Sequence, residues 1–284
     1  MNTVLHQLKE DSPYMMSFVI VTKKNNVIVI DGGRPEDIPA LKCCIAGRHI
    51  SAWILTHAHD DHISGFVHEF ETNGGKDFDI EKIYYHFPPY SMIDTPVQNP
   101  EFFRQELNEI LPAFDTVLPK FADKAHIIRQ GEQLQIDEVI IDFLFTWHKE
   151  LTCNLMNDAS LVFKLTTEET SVLFLGDLGP EGGDTLYRES RHLLQADMVQ
   201  MAHHGHMNCG MEVYAAIGAK TCFWCCPQWL YEEEELPEYL CDPEDLRINS
   251  RQRMYGTAVT RNWMNLLGAD KHYVSYDGPH CVTL

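Results

Sequence analysis

The chain has 284 residues, 44% of them apolar, and 22 basic against 42 acidic side chains leave it a net charge of −20. Such a length holds one large domain or two small ones, and the apolar content supports a sizeable core and excludes a disordered polypeptide. The charge excludes a broad basic face for gripping long nucleic acid and repels an anionic membrane surface, yet a local pocket for a small anionic substrate stays open.

The first 30 residues lack the basic start, long apolar run and small-residue cleavage site of a secretory signal. No stretch approaches the roughly 20 apolar residues of a membrane span. A cytoplasmic protein is therefore expected. Phe18 to Val21 and Val27 to Ile30 predict two strands around a Lys-Lys-Asn-Asn turn, the second breaking at Asp31-Gly32-Gly33. Pro35 to Ile45 predicts a helix with Pro near its start. Ser51 to Leu55 is a short buried strand running into Thr56-His57-Ala58-His59-Asp60-Asp61-His62, with a helix after the turn. Ile83 to Phe87 reads as a strand, Pro88 to Pro100 as a Pro-rich loop, and Phe102 to Leu111 as a helix.

Further strands are predicted at His126 to Ile128, Leu134 to Ile136 and Val139 to Trp147. Ser160 to Leu165 and Ser171 to Leu175 form a hairpin whose second strand stops at Gly176-Asp177. A helix at Gly183 to Leu194 leads to a strand, Met198 to Ala202, ending in His203-His204-Gly205. A helix at Met211 to Ala219, a strand at Thr221 to Cys225, a helix at Thr260 to Leu267 and a strand at Tyr273 to Tyr276 complete the chain. No linker interrupts the alternation, so residues 1–284 read as one layered α/β domain. The acidic stretch Tyr231 to Asp245 reads as a solvated loop or surface helix. The nine cysteines, Cys222-x-x-Cys225 included, read as free thiols, mostly buried, rather than as a disulfide or zinc framework.

Three imidazoles and two carboxylates, His57, His59, Asp60, Asp61 and His62, crowd the end of one buried strand. Buried titratable groups must be paired, neutral or ligated, and a cation resolves the crowding. Imidazole and carboxylate suit zinc, iron or manganese. His57 and His59, two apart on extended chain, can share one ion, while Asp61 and His62 reach a second.

These residues match the H-x-H-x-D-H motif completely, and the chain resembles the metallo-β-lactamase superfamily over nearly its whole length. The resemblance implies an α/β fold, the four-layer αββα sandwich of that type, and two divalent metal ions, first of all Zn2+, with Mn2+ or Fe as alternatives. It implies that Asp31 supports the ligands by hydrogen bonding, that Asp177 bridges both metals, and that His203 is the last metal histidine. For the remaining ligand the candidates are Asn157, Asp158 and His148, with Asp158 favoured by charge. Asn157-x-x-Ser160-Leu161-Val162 and His203-His204-Gly205 are similar to segments of the ComEC-type branch, whose members include DNA-uptake domains, phosphorylcholine esterases and stand-alone soluble relatives; His206 replaces that branch's usual serine.

On this resemblance the chain is expected to be a metallo-hydrolase that activates water between two cations roughly 3.5–4 Å apart. Asp61 would orient that water or accept its proton, and His204 would either donate to a developing oxyanion or brace its strand. A small phosphodiester or phosphoester is the expected substrate, with an ester, lactone or thioester next. A diiron or mononuclear-iron oxidoreductase and a metal-binding module without turnover are the readings from other classes. Of the aromatic residues Tyr84, Tyr85, Phe87, Tyr90 and Trp224, most are expected in the core rather than at the mouth. Sheet edges of this fold can pair, which leaves room for a homodimer.

Overall fold

Val19, Val21, Val27 and Val29 alternate along the chain with Phe18, Ile20, Ile28 and Ile30, and every one of these side chains is buried. Strands that are apolar on both faces need cover on both. The computed structural model, which describes residues 2–93, 104–151, 154–233 and 256–284 and only the backbone of 104–109, supplies that cover with a second sheet on one face and helices on the other.

The first sheet has the order β14-β1-β2-β3-β4-β5-β6, built from His280–Thr283, Val4–Gln7, Ser17–Val21, Val27–Asp31, Ile50–Ile54, Ile83–Tyr85 and Ala125–Ile127. The second has the order β13-β12-β11-β10-β9-β8-β7, built from Lys271–Val274, Thr221–Trp224, Met198–Gln200, Ser171–Phe174, Val162–Thr166, Val139–Phe145 and Gln133–Ile136. Each sheet is half antiparallel and half parallel: β14 to β3 and β7 to β10 run antiparallel, β3 to β6 and β10 to β13 parallel. Between the sheets lie Phe18, Ile20, Ile28, Ile30 and Ile54 from one side and Ile141, Phe143, Phe163, Phe174 and Phe223 from the other. Phe18 meets Phe174 and Phe223 edge-on, at 5.2 and 5.8 Å between centroids.

The helices in chain order are α1 (Ile38–Ile45), α2 (Asp60–Asn73), α3 (Tyr90–Ile93), α4 (Arg104–Val117), α5 (Leu155–Asp158), α6 (Pro180–Ser190), α7 (Met211–Ile217), α8 (Gln228–Tyr231) and α9 (Thr257–Leu266). Helices α1, α2 and α4 pack outside the first sheet, and α6, α7 and α9 outside the second. The result is the expected αββα sandwich. None of the described helices is long and apolar enough to cross a membrane.

Strands β1 and β14 are additions to the sequence reading. They pair with each other, Val4 opposite Thr283, and β1 also pairs with β2. Both are four residues long, β1 alternating half-buried with buried residues and β14 half-buried with exposed ones, too brief to show a period against their flanks. The last predicted strand begins earlier, at Lys271, and ends at Val274, where Ser275–Asp277 tightens into a 3-10 turn. Helix α6 starts at Pro180 rather than Gly183, with Pro at its first position. Parts of the Pro88 to Pro100 loop and of the acidic stretch lie outside the described residues, as do Cys153 and Cys241. The seven described cysteines are free. Cys222 faces the helices and Cys225 the inter-sheet core, so these two cannot act as a dithiol.

Candidate metal centre

The C-terminal ends of β3, β4, β10 and β11 deliver the polar side chains, as open parallel sheets generally do for their ligands. After β4 the chain stays extended through His57 and His59, and α2 begins at Asp60 with His59 as its N-cap. Asp60 and Asp61 occupy the first turn of α2, where the helix dipole favours negative charge.

Asp31, at the end of β3, is wholly buried and adopts a left-handed φ of 53°. Its carboxylate accepts hydrogen bonds from Thr56 N and Thr56 Oγ1, both at 2.7 Å, and lies 2.7 Å from His62 Nδ1. That contact turns His62 so that Nε2 faces inward, 3.2 Å from Asp177 Oδ1. Asp177 itself follows Gly176, whose φ is 56° and whose added Cβ would lie 2.9 Å from Ser160 Cβ and Oγ. Ser160 Oγ accepts from Asp177 N at 2.9 Å. Gln200 braces the same turn: its Oε1 accepts from Leu175 N and Gly176 N, both at 2.9 Å, and its Nε2 donates to Gly176 O at 3.0 Å.

Beyond β11, His203, His204 and Gly205 are all left-handed, with φ of 46°, 56° and 93°. A Cβ on Gly205 would come within 2.5 Å of the Trp224 ring, so the turn requires glycine here. The turn carries His204 Nδ1 to Cys225 O at 2.7 Å and leaves Nε2 at 3.0 Å from Asp177 Oδ2 and 3.1 Å from Asp61 Oδ2. His57 Nε2 lies 3.7 Å from Asp177 Oδ2 and 3.0 Å from His59 Nδ1.

Two groups of donors result, each with its atoms within 4.8 Å of one another: Asp61, His62, Asp177 and His204, and His57, His59 and Asp177. Asp177 belongs to both. Donors held at about 2.0–2.1 Å around a tetrahedral cation sit roughly 3.3 Å apart, which matches these separations. Both Asp177 carboxylate oxygens and His62 Nε2 are buried and, among the described residues, engage in no well-formed hydrogen bond. Buried polar atoms without partners are rare, and a cation is what this donor set fits.

The electrostatics agree. Burial pushes His57 and His59 below the ordinary imidazole range, which keeps them neutral, the ligating form. Burial also opposes charge on His62 and His204, but the carboxylates around them prevail: Asp177, Asp61 and Asp31 drive His62 well up, and Asp177 and Asp61 push His204 to about 10. The same imidazoles outweigh burial at Asp61 and Asp177 and hold both carboxyls low. Protons on His62 and His204 thus balance two carboxylates in the metal-free site, and a divalent cation can replace them.

The remaining sequence candidates sit differently. His203 belongs to neither group: its Nε2 is 3.3 Å from Asn157 Nδ2, its Nδ1 3.2 Å from Met207 O, and burial pushes it down to about 4. Asp158 belongs to neither group: its Oδ1 accepts from Gly182 N at 2.9 Å, and its Oδ2 is buried without a hydrogen-bond partner among the described residues. His148 is 29% exposed and lies 3.7 Å from Glu189 Oε2. Asn157 is buried, with Oδ1 unpartnered among the described residues. Sequence reasoning missed Gln200 and Tyr14, the latter with its ring 5.0 Å from that of His204; neither belongs to a recognisable motif.

Similar proteins bear on this arrangement. Over the whole chain the fold is similar to the metallo-beta-lactamase fold protein YhfI from Bacillus subtilis, at 13% identity and a TM-score of 0.55, covering 99% of this chain and 100% of that one. It is also similar to CmlA, a diiron beta-hydroxylase from Streptomyces venezuelae, at 10% identity and a TM-score of 0.54, covering 100% of this chain and 54% of the other. No curated protein matches it in sequence. The family model described as the metallo-beta-lactamase superfamily matches residues 15–208, a span that contains every donor described above, and the chain belongs to that superfamily.

Proposed function

We propose that the chain is a metal-dependent hydrolase of a small phosphodiester or phosphoester, allied to the ComEC-type branch of its superfamily. The observation that carries the reading is the pair of donor groups sharing Asp177. His57, His59 and Asp177 would hold one divalent ion, and Asp61, His62, Asp177 and His204 the other. Asn157, Asp158 and His148 each keep one buried polar atom without a hydrogen-bond partner among the described residues, so these three remain the candidates for a further donor. When bound, a pair of such ions supplies an acidified water and electrophilic pull on attacking and leaving oxygens.

The chain's own residues do the rest. Asp31 fixes the His62 ring through Nδ1, and Cys225 O fixes His204 in the same way, so both present Nε2 inward. Asp61 lies 3.1 Å from His204 Nε2 and is held anionic, the form in which a carboxylate ligates a cation. His204 then serves as a ligand rather than as a separate acid. Ser160 supports the branch assignment, because the N-x-x-S serine is the residue that holds Asp177 N. The acidic chain favours a small substrate over a long polyanion.

Elemental analysis together with hydrolysis of bis-4-nitrophenyl phosphate tests the reading. Close to two equivalents of zinc or manganese and measurable turnover are expected. Asp177→Ala is expected to remain folded, to lose both ions and to drop turnover by at least about 100-fold. Iron as the dominant metal with oxygen consumption would overturn the hydrolase assignment, and full activity in Asp177→Ala would overturn the shared ligand.

A further inference from the structure

An aromatic corner beside the Asp61/His204 half of the centre has no part in holding ions. Tyr14 meets the His204 ring edge-on at 5.0 Å, lies parallel to His206 at 6.0 Å with 16° between planes, and meets Trp229 at 5.8 Å and 88°. Trp229, on α8, is 63% exposed, and its indole extends the aromatic surface of Tyr14 outward to solvent. Tyr14 and His206 are half-buried, so the corner opens to solvent next to the metal donors.

The loop that carries Tyr14 is built to stay still. Asp37, wholly buried, accepts from Asp11 N at 3.0 Å, Ser12 N at 2.9 Å, Ser12 Oγ at 2.6 Å and Arg34 N at 2.8 Å. Arg34 donates to Pro13 O and, at 2.6 Å, to Asp60 Oδ2. Met16 N donates to Asp61 O at 3.2 Å. These bonds hold Tyr14 in a left-handed conformation, φ 68°, that a tyrosine does not adopt unaided. Strain of this kind, locked by a buried carboxylate and tied to the backbone of a metal donor, marks a fixed wall rather than a loose loop.

We infer that Tyr14, His206 and Trp229 form a subsite for a flat aromatic ring carried by the substrate, the ring stacking on the Trp229 indole and meeting Tyr14 edge-on. Two ring planes at right angles offer one face for offset stacking and one edge for a T-shaped contact, the two geometries aromatic pairs prefer. The substrate class is then a phosphoester with one aryl or heteroaryl substituent. This inference rests on the phosphoester reading above.

Calorimetry of the zinc-loaded protein with phenylphosphonate and methylphosphonate tests it, since neither is turned over. Phenylphosphonate is expected to bind about tenfold tighter. Trp229→Ala is expected to reduce that preference to less than threefold while leaving methylphosphonate affinity unchanged, and Trp229→Phe to restore most of it. Equal affinity for the two phosphonates, or an equal loss of both in Trp229→Ala, would refute the aromatic subsite alone. Binding of neither by a zinc-loaded protein would refute the phosphoester reading and the subsite together.

Discussion

Asp158 is a buried carboxyl whose charged neighbours, Glu181 and Asp184, are negative. Burial pushes it up to about 8, against which the bond from Gly182 N works only in part. The folded protein therefore keeps a proton that the unfolded chain releases near its ordinary value of about 3.9. That contribution to stability is whole in acid and is lost as pH rises through 8, because the unfolded state binds fewer protons throughout that window. Asp158→Asn keeps the acceptor for Gly182 N and removes the ionisation. Urea unfolding at pH 5 and pH 8 is expected to show the wild type losing on the order of a few kcal/mol relative to Asp158→Asn. Parallel curves would mean that Asp158 ionises freely. Asp31 predicts something different, since its carboxylate orients His62 without joining either donor group. Asp31→Ala is expected to weaken metal binding about 10–100-fold in competition with a chelator dye.

At the scale of elements, the paired runs Phe18 to Val21 and Val27 to Ile30 could be read directly because both faces of those strands are buried and the apolar run is unbroken. The motif after β4 was equally plain, since His57, His59, Asp61 and His62 are adjacent in sequence and meet in space. That His204 rather than His203 stands in a donor group was not legible. Strand alternation ends at β11, and two consecutive left-handed histidines rotate the chain in a way no pattern announces. Asp158 was favoured by charge, but the single turn of α5 aims it at the start of α6 while its neighbour Asn157 lies by His203. Gly176 shows how tightly such a turn is drawn. Gly176→Ala combines a left-handed φ with a Cβ 2.9 Å from Ser160, the side chain that holds Asp177 N. A cost of about 1–3 kcal/mol in thermal or urea unfolding is expected, with a matching loss of metal affinity. A stable variant with weakened metal binding would place the effect in the site alone.

Across the whole molecule, an excess of negative charge converges on a buried cluster that must import positive charge from somewhere. Among the described residues Arg34 is the cation at its margin, and Asp60 already occupies it. Protons on His62 and His204 do the task when no ion is bound, and they do it against a desolvation penalty. Divalent ions would replace those protons with more charge and better directed bonds, and the unfolded chain offers no comparable site. Binding to the folded state alone stabilises it by about 4 kcal/mol when free metal exceeds Kd 1,000-fold. For a chain of this size that corresponds to a rise in Tm on the order of 10 °C. Thermal scans with added zinc are expected to show that rise and scans with chelator to reverse it. Asp177→Ala, which removes the residue common to both donor groups, is expected to show no zinc-dependent shift. The shift should also grow with pH between 5 and 8, because each ion displaces protons on entering. A zinc effect that survives in Asp177→Ala would locate the binding at other residues and leave the buried cluster to balance its charge with protons.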